Sequence, residues 1–274
     1  LMPYFLYIIW DIDPEIISSP ISLRYYGLGW ASAFIAGYYI LQKIFKSDKV
    51  PEPWLESILM YIMIGTIAGA RLGDCLFYHW EYYQHNLLEI FLPIKLEPEL
   101  HFTGFRGLAS HGAGIGMLIA AYLWSKKISK KSMLWTMDRV ALTVLIGAAF
   151  IRTGNLMNSE IIGLQSDLPW AFVFKQIDDV PRHPAQLYEA LSYLIIFFLL
   201  YFLFTKRNWK KVEGSIFGLF MILMFIARFL LEFFKENQVG FEDSLSLNMG
   251  QILSIPFVII GIVLLLKKKN KQKT

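Results

Sequence analysis

A single cysteine, Cys75, stands among the 274 residues. That scarcity excludes an internal disulfide and a metal site of the usual Cys-based kind, and leaves Cys75 as a packing residue in an apolar run. Charge is scarce too. Asp, Glu, Lys and Arg make up 18% of the chain, below the roughly 25% of ordinary soluble domains. Lys and Arg number 26 against 22 acids, a net charge of +4. The bases gather in short clusters beside apolar runs, so the excess is no footprint for nucleic acid. No His-Glu-x-x-His run occurs, which excludes the usual helical zinc-protease site. No charged stretch precedes the first apolar run, so a cleavable signal peptide is not expected. Internal repeats and low-complexity linkers are lacking as well, and one domain over residues 1–274 is the economical expectation.

What the chain has in abundance is apolar sequence: 55% hydrophobic and 16% aromatic residues. A bilayer takes about 20 apolar residues to cross. Seven runs of that order occur, at about 25–44, 55–78, 107–124, 133–151, 184–204, 214–234 and 249–266. The fold class expected is an all-α polytopic membrane protein with seven transmembrane helices. Residues 1–23 are apolar but broken by Pro3, Pro14 and Pro20 and by Asp11, Asp13 and Glu15. With Tyr4, Phe5, Tyr7 and Trp10 they suit an arm lying in the membrane interface. The second run carries Gly65, Gly69 and Gly73 at four-residue spacing, a stripe that lets another helix approach closely. Basic clusters follow the first, third, fifth and seventh runs, with three, four, four and five Lys or Arg, sixteen of the 26. With seven spans all four clusters share one side, which the positive-inside rule makes cytoplasmic. The N-terminus, the 79–106 loop, the polar segment 152–183 and the 235–248 loop then face outward, and the C-terminus is cytoplasmic. A retinal protein also has seven spans but needs a Schiff-base lysine in the last one, and 249–266 has none.

The polar residues of the spans are unevenly placed. Arg71, Asp74 and His79 lie in the outer half of the second span, and His111 in the outer half of the third. Arg152 ends the fourth on the outside, inside a stretch that also packs Asn155, Asn158, Glu160, Gly154 and Gly163. His183 and Glu189 open the fifth, and Arg228 and Glu232 lie in the outer half of the sixth. One by one each has a structural reading. Arg228 with Glu232, and Arg71 with Asp74, are spaced to pair on one helix face. His111 could be a buried imidazole bonded to a carbonyl. Gly112, Gly114 and Gly116 could serve helix packing or hold backbone N–H groups toward an anion. His183-Pro184 reads as a helix start, with Glu189 near its positive end. Taken together, five spans place polar groups at one depth, and intramembrane charge is normally buried, paired and functional. Arginines at outer-leaflet depth suit a phospholipid phosphate, because the guanidinium fork matches phosphate oxygens. A lipid-phosphate enzyme follows. The alternative is an outer-leaflet lipid or anion transporter, which would favour a polar path to both faces, whereas the inner halves of these spans are largely uncharged.

Several stretches then resemble one family. Leu23-Arg24-Tyr25-Tyr26-Gly27, Gly69-Ala70-Arg71-Leu72-Gly73, Ser110-His111-Gly112-Ala113-Gly114-Ile115-Gly116, and Arg152-Thr153-Gly154-Asn155-Leu156-Met157-Asn158-Ser159-Glu160 closing with Gly163 occur in this order. Arg182-His183-Pro184-Ala185-Gln186-Leu187-Tyr188-Glu189 and the Arg228…Glu232 pair complete the set. The chain resembles the bacterial prolipoprotein diacylglyceryl transferases over nearly its whole length. The resemblance implies an enzyme of the inner membrane that needs no metal or cofactor. Its partners would be phosphatidylglycerol, the bilayer, and the signal peptide of a preprolipoprotein, whose lipobox cysteine thiol would receive the diacylglyceryl group. A thioether would form and glycerol phosphate would leave. Arg152 and Arg228 would hold the lipid phosphate.

Together with the depth argument, the candidate catalytic residues are His111, Arg152, Arg228, Glu232 and Tyr26. The candidate substrate-binding residues are Arg71, Asn155, Asn158, Glu160, Gly163, His183, Glu189 and Gly112. The leaving phosphate gains charge in the transition state, which preorganised arginines stabilise. The thiol must lose a proton. Either His111 takes it, or His111 orients the lipid while an arginine lowers the thiol pKa. Cys75 is not the nucleophile, because the acceptor brings its own. Three positions depart from the family pattern: Ile151 before Arg152 where glycine is usual, Ala113, and Met224 one turn before Arg228.

Overall fold

The computed structural model describes residues 7–17, 23–92, 94–95, 101–102, 109–207, 209–236 and 245–271. The ends of the expected arm (1–6 and 18–22), the start of the third span at 107–108, residues 93, 96–100 and 103–106 of the loop before it, and residues 208, 237–244 and 272–274 lie outside that set. Nine α-helices are seen among the described residues. They are α1 (Tyr25–Asp48), α2 (Pro53–Phe77), the short α3 (Trp80–Tyr83) and α4 (Leu88–Phe91), α5 (Ser110–Trp124), α6 (Met133–Met157), α7 (Ala185–Lys206), α8 (Ser215–Leu231) and α9 (Met249–Lys271). Five of them, α2, α6, α7, α8 and α9, are long and apolar enough to cross a membrane. The architecture is that of a helical multi-pass membrane protein. α1 mixes Tyr25, Tyr26, Trp30, Tyr38, Tyr39 and Gln42 into its apolar residues, and α5 has 15 residues before the backbone widens into a π-helical turn at Ser125–Ser129.

The chain divides into two compact units, Gln42–Thr136 and the remainder, Leu1–Leu41 with Met137–Thr274. In the first, α2 and α5 cross through glycine. A β-carbon on Gly65 would sit 2.5 Å from the Ala120 side chain, and one on Gly73 would sit 2.8 Å from the Gly112 Cα. Gly69, Gly112 and Gly116 are equally pressed against facing backbone. Small residues let helix backbones approach this closely where water supplies no driving force. At the far end of these helices Phe45, Trp54, Trp124 and Trp135 form an aromatic cluster, and the Trp124 indole N–H donates to Ser57 Oγ at 2.8 Å. Cys75 is fully buried in α2.

In the second unit α8 and α9 pack at Gly218 and Gly261, and the rings of Phe225 and Phe257 stack with centroids 4.3 Å apart. Asp138, fully buried on α6, caps α8: its carboxylate accepts from the backbone N–H groups of Gly214 (2.7 Å) and Phe217 (2.8 Å). The start of α6 thus carries a buried charge. Asp138 does for α8 what a side-chain N-cap does within one helix. The polar segment between α6 and α7 carries short strands. β1 (Ile8–Trp10) pairs in parallel with β2 (Phe172–Phe174), which pairs antiparallel with β3 (Pro181–Arg182). Of the expected interfacial arm, Ile8–Trp10 is therefore a sheet strand. Trp10 packs on Phe172 and its indole N–H donates to the Leu156 carbonyl at 3.0 Å.

Gly116→Leu is expected to force α2 and α5 apart, because its β-carbon would overlap the Gly65 carbonyl. Overpacking of this kind costs about 1–3 kcal/mol. A maleimide dye reacting with Cys75 in detergent should therefore report unfolding at a lower temperature than in the unchanged protein.

Candidate functional site

The last turn of α6 delivers the opening residues of the site. The helix ends in a Schellman-type turn: Ser159 N–H donates to the Leu156 carbonyl (3.1 Å) and Glu160 N–H to the Asn155 carbonyl (2.9 Å). Ser159 takes the left-handed conformation there, φ 53°, where glycine is usual, and Ile161 follows at φ 57°. A β-branched residue in that region is strained, and such strain gathers where surroundings demand a particular geometry. Between the two, Glu160 is turned back over the helix end. Its carboxylate accepts from Asn155 Nδ2 (3.1 Å) and Asn158 Nδ2 (3.0 Å). Gln186 on α7 donates from Nε2 to the Glu160 carbonyl at 2.5 Å.

Asn155 turns its own carbonyl to Arg152, whose Nη1 donates to it at 3.1 Å. Arg152 Nε also sits 2.7 Å from Glu189 Oε2, a close ion pair that is not an aligned hydrogen bond. Gln186, Glu189 and Tyr193 recur on α7 at i, i+3 and i+7, one helix face, and all three are buried. The other Glu189 oxygen accepts from Tyr193 Oη and from Lys235 Nζ, both at 3.3 Å. Lys235 follows the 3₁₀ turn Glu232–Phe234 that closes α8, and also donates to Glu232 Oε2 at 2.9 Å. Gly250 at the start of α9 leaves room for that carboxylate, since a β-carbon there would lie 2.5 Å from it. Glu232 therefore pairs with Lys235. Arg228, half-buried, makes no hydrogen bond or ion pair among the described residues, although it acts electrostatically on the Tyr193 hydroxyl.

Gly163 is a seat for two strands of chain. Its N–H donates to the His183 carbonyl (3.1 Å), it bridges to Lys235, and a side chain there would overlap the His183 and Phe234 backbones. His183 packs edge-on to Tyr188 and Phe234, with Nδ1 3.2 Å from Tyr188 Oη. Burial holds its imidazole below the ordinary value, so it is neutral at neutral pH. Tyr26 packs against Gly154, where a β-carbon would lie 3.0 Å from its ring. Outside the site Arg182 pairs with Asp178 (2.5 Å) and Glu236, which ties the segment after α8 to the hairpin before α7.

His111, Gly112 and Arg71 belong to the other compact unit. His111 stands exposed in the first turn of α5. Gly112 is spent on the contact with Gly69 and Gly73. Arg71 is buried and donates to the carbonyls of Glu89 (2.6 Å) and Ile90 (3.1 Å), with its guanidinium 4.9 Å from the centroid of the Tyr83 ring. Asp74 lies 3.3 Å from His79. Arg71 thus holds the α3–α4 segment by its backbone.

Sequence reading missed Lys235, Tyr193 and Gln186. Lys235 falls past the end of a span, in a stretch that reads as a solvated loop, and its only cue is the i+3 spacing from Glu232. Tyr193 reads as one more aromatic of a membrane helix.

Around Glu189, then, three basic side chains meet two acidic ones, with Glu160 held one amide further out by neutral groups. One of the bases, Arg228, has no acidic partner among the described residues. Such a site can take an anion and stabilise further negative charge on it.

A family model described as prolipoprotein diacylglyceryl transferase matches residues 14–267. A protein of Bacteroides fragilis named phosphatidylglycerol–prolipoprotein diacylglyceryl transferase is 46% identical over 267 residues, 95% of this chain and 96% of its own. A protein of the same name from Chloroherpeton thalassium is 43% identical over 98% of both chains, and one from Idiomarina loihiensis is 34% identical over 96% of both.

Lys235→Met should leave two buried carboxylates short of a cation, a loss worth about 3–5 kcal/mol, seen as a lower unfolding temperature in detergent, with Lys235→Arg much closer to the parent. Acid should loosen the hairpin before α7. Arg182 holds the Asp178 carboxyl below its ordinary value of 3.8. The stability Asp178 contributes is therefore complete above that value and is lost as pH falls through the lower folded-state one. Hydrogen exchange of residues 163–182 should accelerate on acidification across this window, and less so in Asp178→Asn.

Proposed function

The chain belongs to the prolipoprotein diacylglyceryl transferase family, and we propose that it carries out that family's transfer through the Arg152–Glu189–Lys235 network and Arg228. It is a membrane-embedded enzyme that moves a diacylglyceryl group from phosphatidylglycerol to a prolipoprotein, the first step of lipoprotein maturation. The acceptor atom in this reading is the thiol of the lipobox cysteine in the substrate's signal peptide. Sulfur attacks the glycerol carbon that bears the phosphate, and a C–S bond forms as the C–O bond to phosphate breaks. The bonding pair leaves on glycerol phosphate, the thiol proton passes to a base, and the lipoprotein keeps a thioether.

The observation that carries this reading is the half-buried Arg228, without an acidic partner among the described residues, beside a cluster in which every carboxylate is already held. A phosphodiester carries one negative charge and its departing monoester acquires another. Arg228 and the donors that Arg152 keeps beyond Glu189 and Asn155 suit that charge, and a preorganised donor of this kind contributes about 10²–10³-fold to rate. Glu189, Asn155 and Tyr193 act by holding Arg152 in place. Glu232 acts by holding Lys235 against Glu189. Tyr26 shapes the wall beside Gly154, and Gly163 with His183 joins the outward segment to the site. His111 serves either as the base for the thiol proton or as a lipid contact. Arg71 and Gly112 serve by position, the first through the α3–α4 segment and the second through the α2–α5 crossing.

The reading also includes seven spans, with α1 and α5 added to the five most apolar helices, in one membrane domain. The lysine clusters support an inner-membrane orientation with the N-terminus outside and the C-terminus in the cytoplasm.

Purified protein given labelled phosphatidylglycerol and a lipobox peptide should form a thioether-linked diacylglyceryl peptide, and no product from the unchanged protein would sink the proposal. Arg228→Ala is the cleanest variant, because among the described residues Arg228 has no acidic partner and its removal strands no carboxylate there. It should cut transfer by about 10²-fold or more and leave the unfolding temperature nearly unchanged. Wild-type turnover would remove Arg228 from the phosphate site.

A further inference from the structure

Three side-chain amides surround Glu160, and all present nitrogen to it: Asn155 and Asn158 to the carboxylate, Gln186 to the main-chain carbonyl. An amide whose nitrogen faces an acceptor must turn its oxygen the other way. The oxygen of Asn155 goes to Arg152. Those of Asn158 and Gln186 are buried and without a hydrogen-bond partner among the described residues, and Gln186 as a whole is 0% exposed. The Ser159 hydroxyl between them in the chain is also buried and unpartnered. Native proteins rarely leave buried acceptors unmade, and each such case calls for an explanation. Two acceptors, fixed in direction by one glutamate and linked through Asn155 to the guanidinium of Arg152, are an arrangement for reading hydrogen-bond donors next to a bound phosphate.

We infer that Gln186 Oε1 and Asn158 Oδ1 accept hydrogen bonds from the hydroxyls of the donor lipid's glycerol head group, and so select a polyol head group over others. This rests on the transferase reading of the site. The donors must come without positive charge, because Arg152 lies one amide away and Lys235 and Arg228 approach the same cluster. Both oxygens of Glu160, the nearest carboxylate, already accept amide N–H groups, so it is poorly placed to hold an ammonium. A choline head group offers no donor, and an ethanolamine head group offers donors only on a cation. A glycerol offers two neutral hydroxyls. A site that buries acceptors for substrate hydroxyls discriminates strongly against analogues lacking them, because the acceptors are then left unmade.

The test compares phosphatidylglycerol with phosphatidylpropanol, which has the same charge and chain length but no head-group hydroxyls, in competition for transfer to a lipobox peptide by the full-length protein in detergent. The unchanged protein should favour phosphatidylglycerol by at least about tenfold in kcat/KM, the value of one good hydrogen bond. Gln186→Met and Asn158→Leu each also remove a donor to Glu160 and should lower both rates, but the rate with phosphatidylglycerol should fall further, which brings the ratio near unity. A merely structural loss would lower both rates together and keep the ratio. Binding is read separately, as the rise in unfolding temperature produced by each lipid. The same preference should appear there and vanish in either variant, whichever of the two folds better. Equal use and equal binding of the two lipids by the unchanged protein, or an unaltered preference in a folded variant, would overturn the inference. Absence of any thioether product would overturn the transferase reading instead, and the binding comparison would still decide this one.

Discussion

A carboxylate buried between two cations governs the meeting of α6, α7 and the turn after α8. Glu189 is inaccessible to solvent, and so is most of Arg152 and Lys235. Each of these charges would be costly to bury alone, and the three become tolerable only as a set with Glu232 and Tyr193 completing the donors and acceptors. The set comes from three places: the end of α6, the first turns of α7 and the turn after α8. Charge pairing therefore fixes how those three segments meet. Arg228, which acts on the Tyr193 hydroxyl, has no acidic partner among the described residues, and that imbalance suits an anion.

The second constraint is local strain at the end of α6. Ser159 and Ile161 hold left-handed backbone on either side of Glu160, and the result is a carboxylate folded back over the helix that presents it. From there Glu160 orients Asn155, Asn158 and Gln186. Asn155 passes that orientation to Arg152. One acidic residue thereby aligns both the Arg152 guanidinium and the two buried amide oxygens of Asn158 and Gln186. The network is shaped by the protein before a lipid enters, which is the condition for electrostatic stabilisation of a departing anion without reorganisation.

Glycine supplies the geometry that charge cannot. Gly163 lets the His183 and Phe234 backbones close on it, and Gly250 lets α9 start against the Glu232 carboxylate. In the other unit Gly65, Gly69, Gly73, Gly112 and Gly116 bring α2 and α5 into backbone contact, and His111 rides on the first turn of that crossing. Position 112, which reads equally well as an anion-binding glycine, is a packing glycine in the fold. Arg71, which reads as a phosphate ligand, spends its guanidinium on two carbonyls of the α3–α4 segment.

By itself the sequence determined the class of molecule and the family, because composition, apolar run length and contiguous motifs are properties of the chain read in one dimension. It also placed Asn155, Asn158 and Glu160 near Arg152, since they lie within one or two turns of it. It could not determine partners that come from afar. Lys235 meets Glu189 across 46 positions, Gln186 meets Glu160 across 26, and Asp138 caps α8 across 76. Spacing rules see neighbours on one helix face, and there Arg228 and Glu232 look like a pair. Only the folded chain decided between those cations: the turn that closes α8 brings Lys235 to Glu232, tertiary packing brings the same lysine to Glu189, and Arg228 has no acidic partner among the described residues, because the desolvation cost of a buried carboxylate is met by whichever cation the fold places beside it.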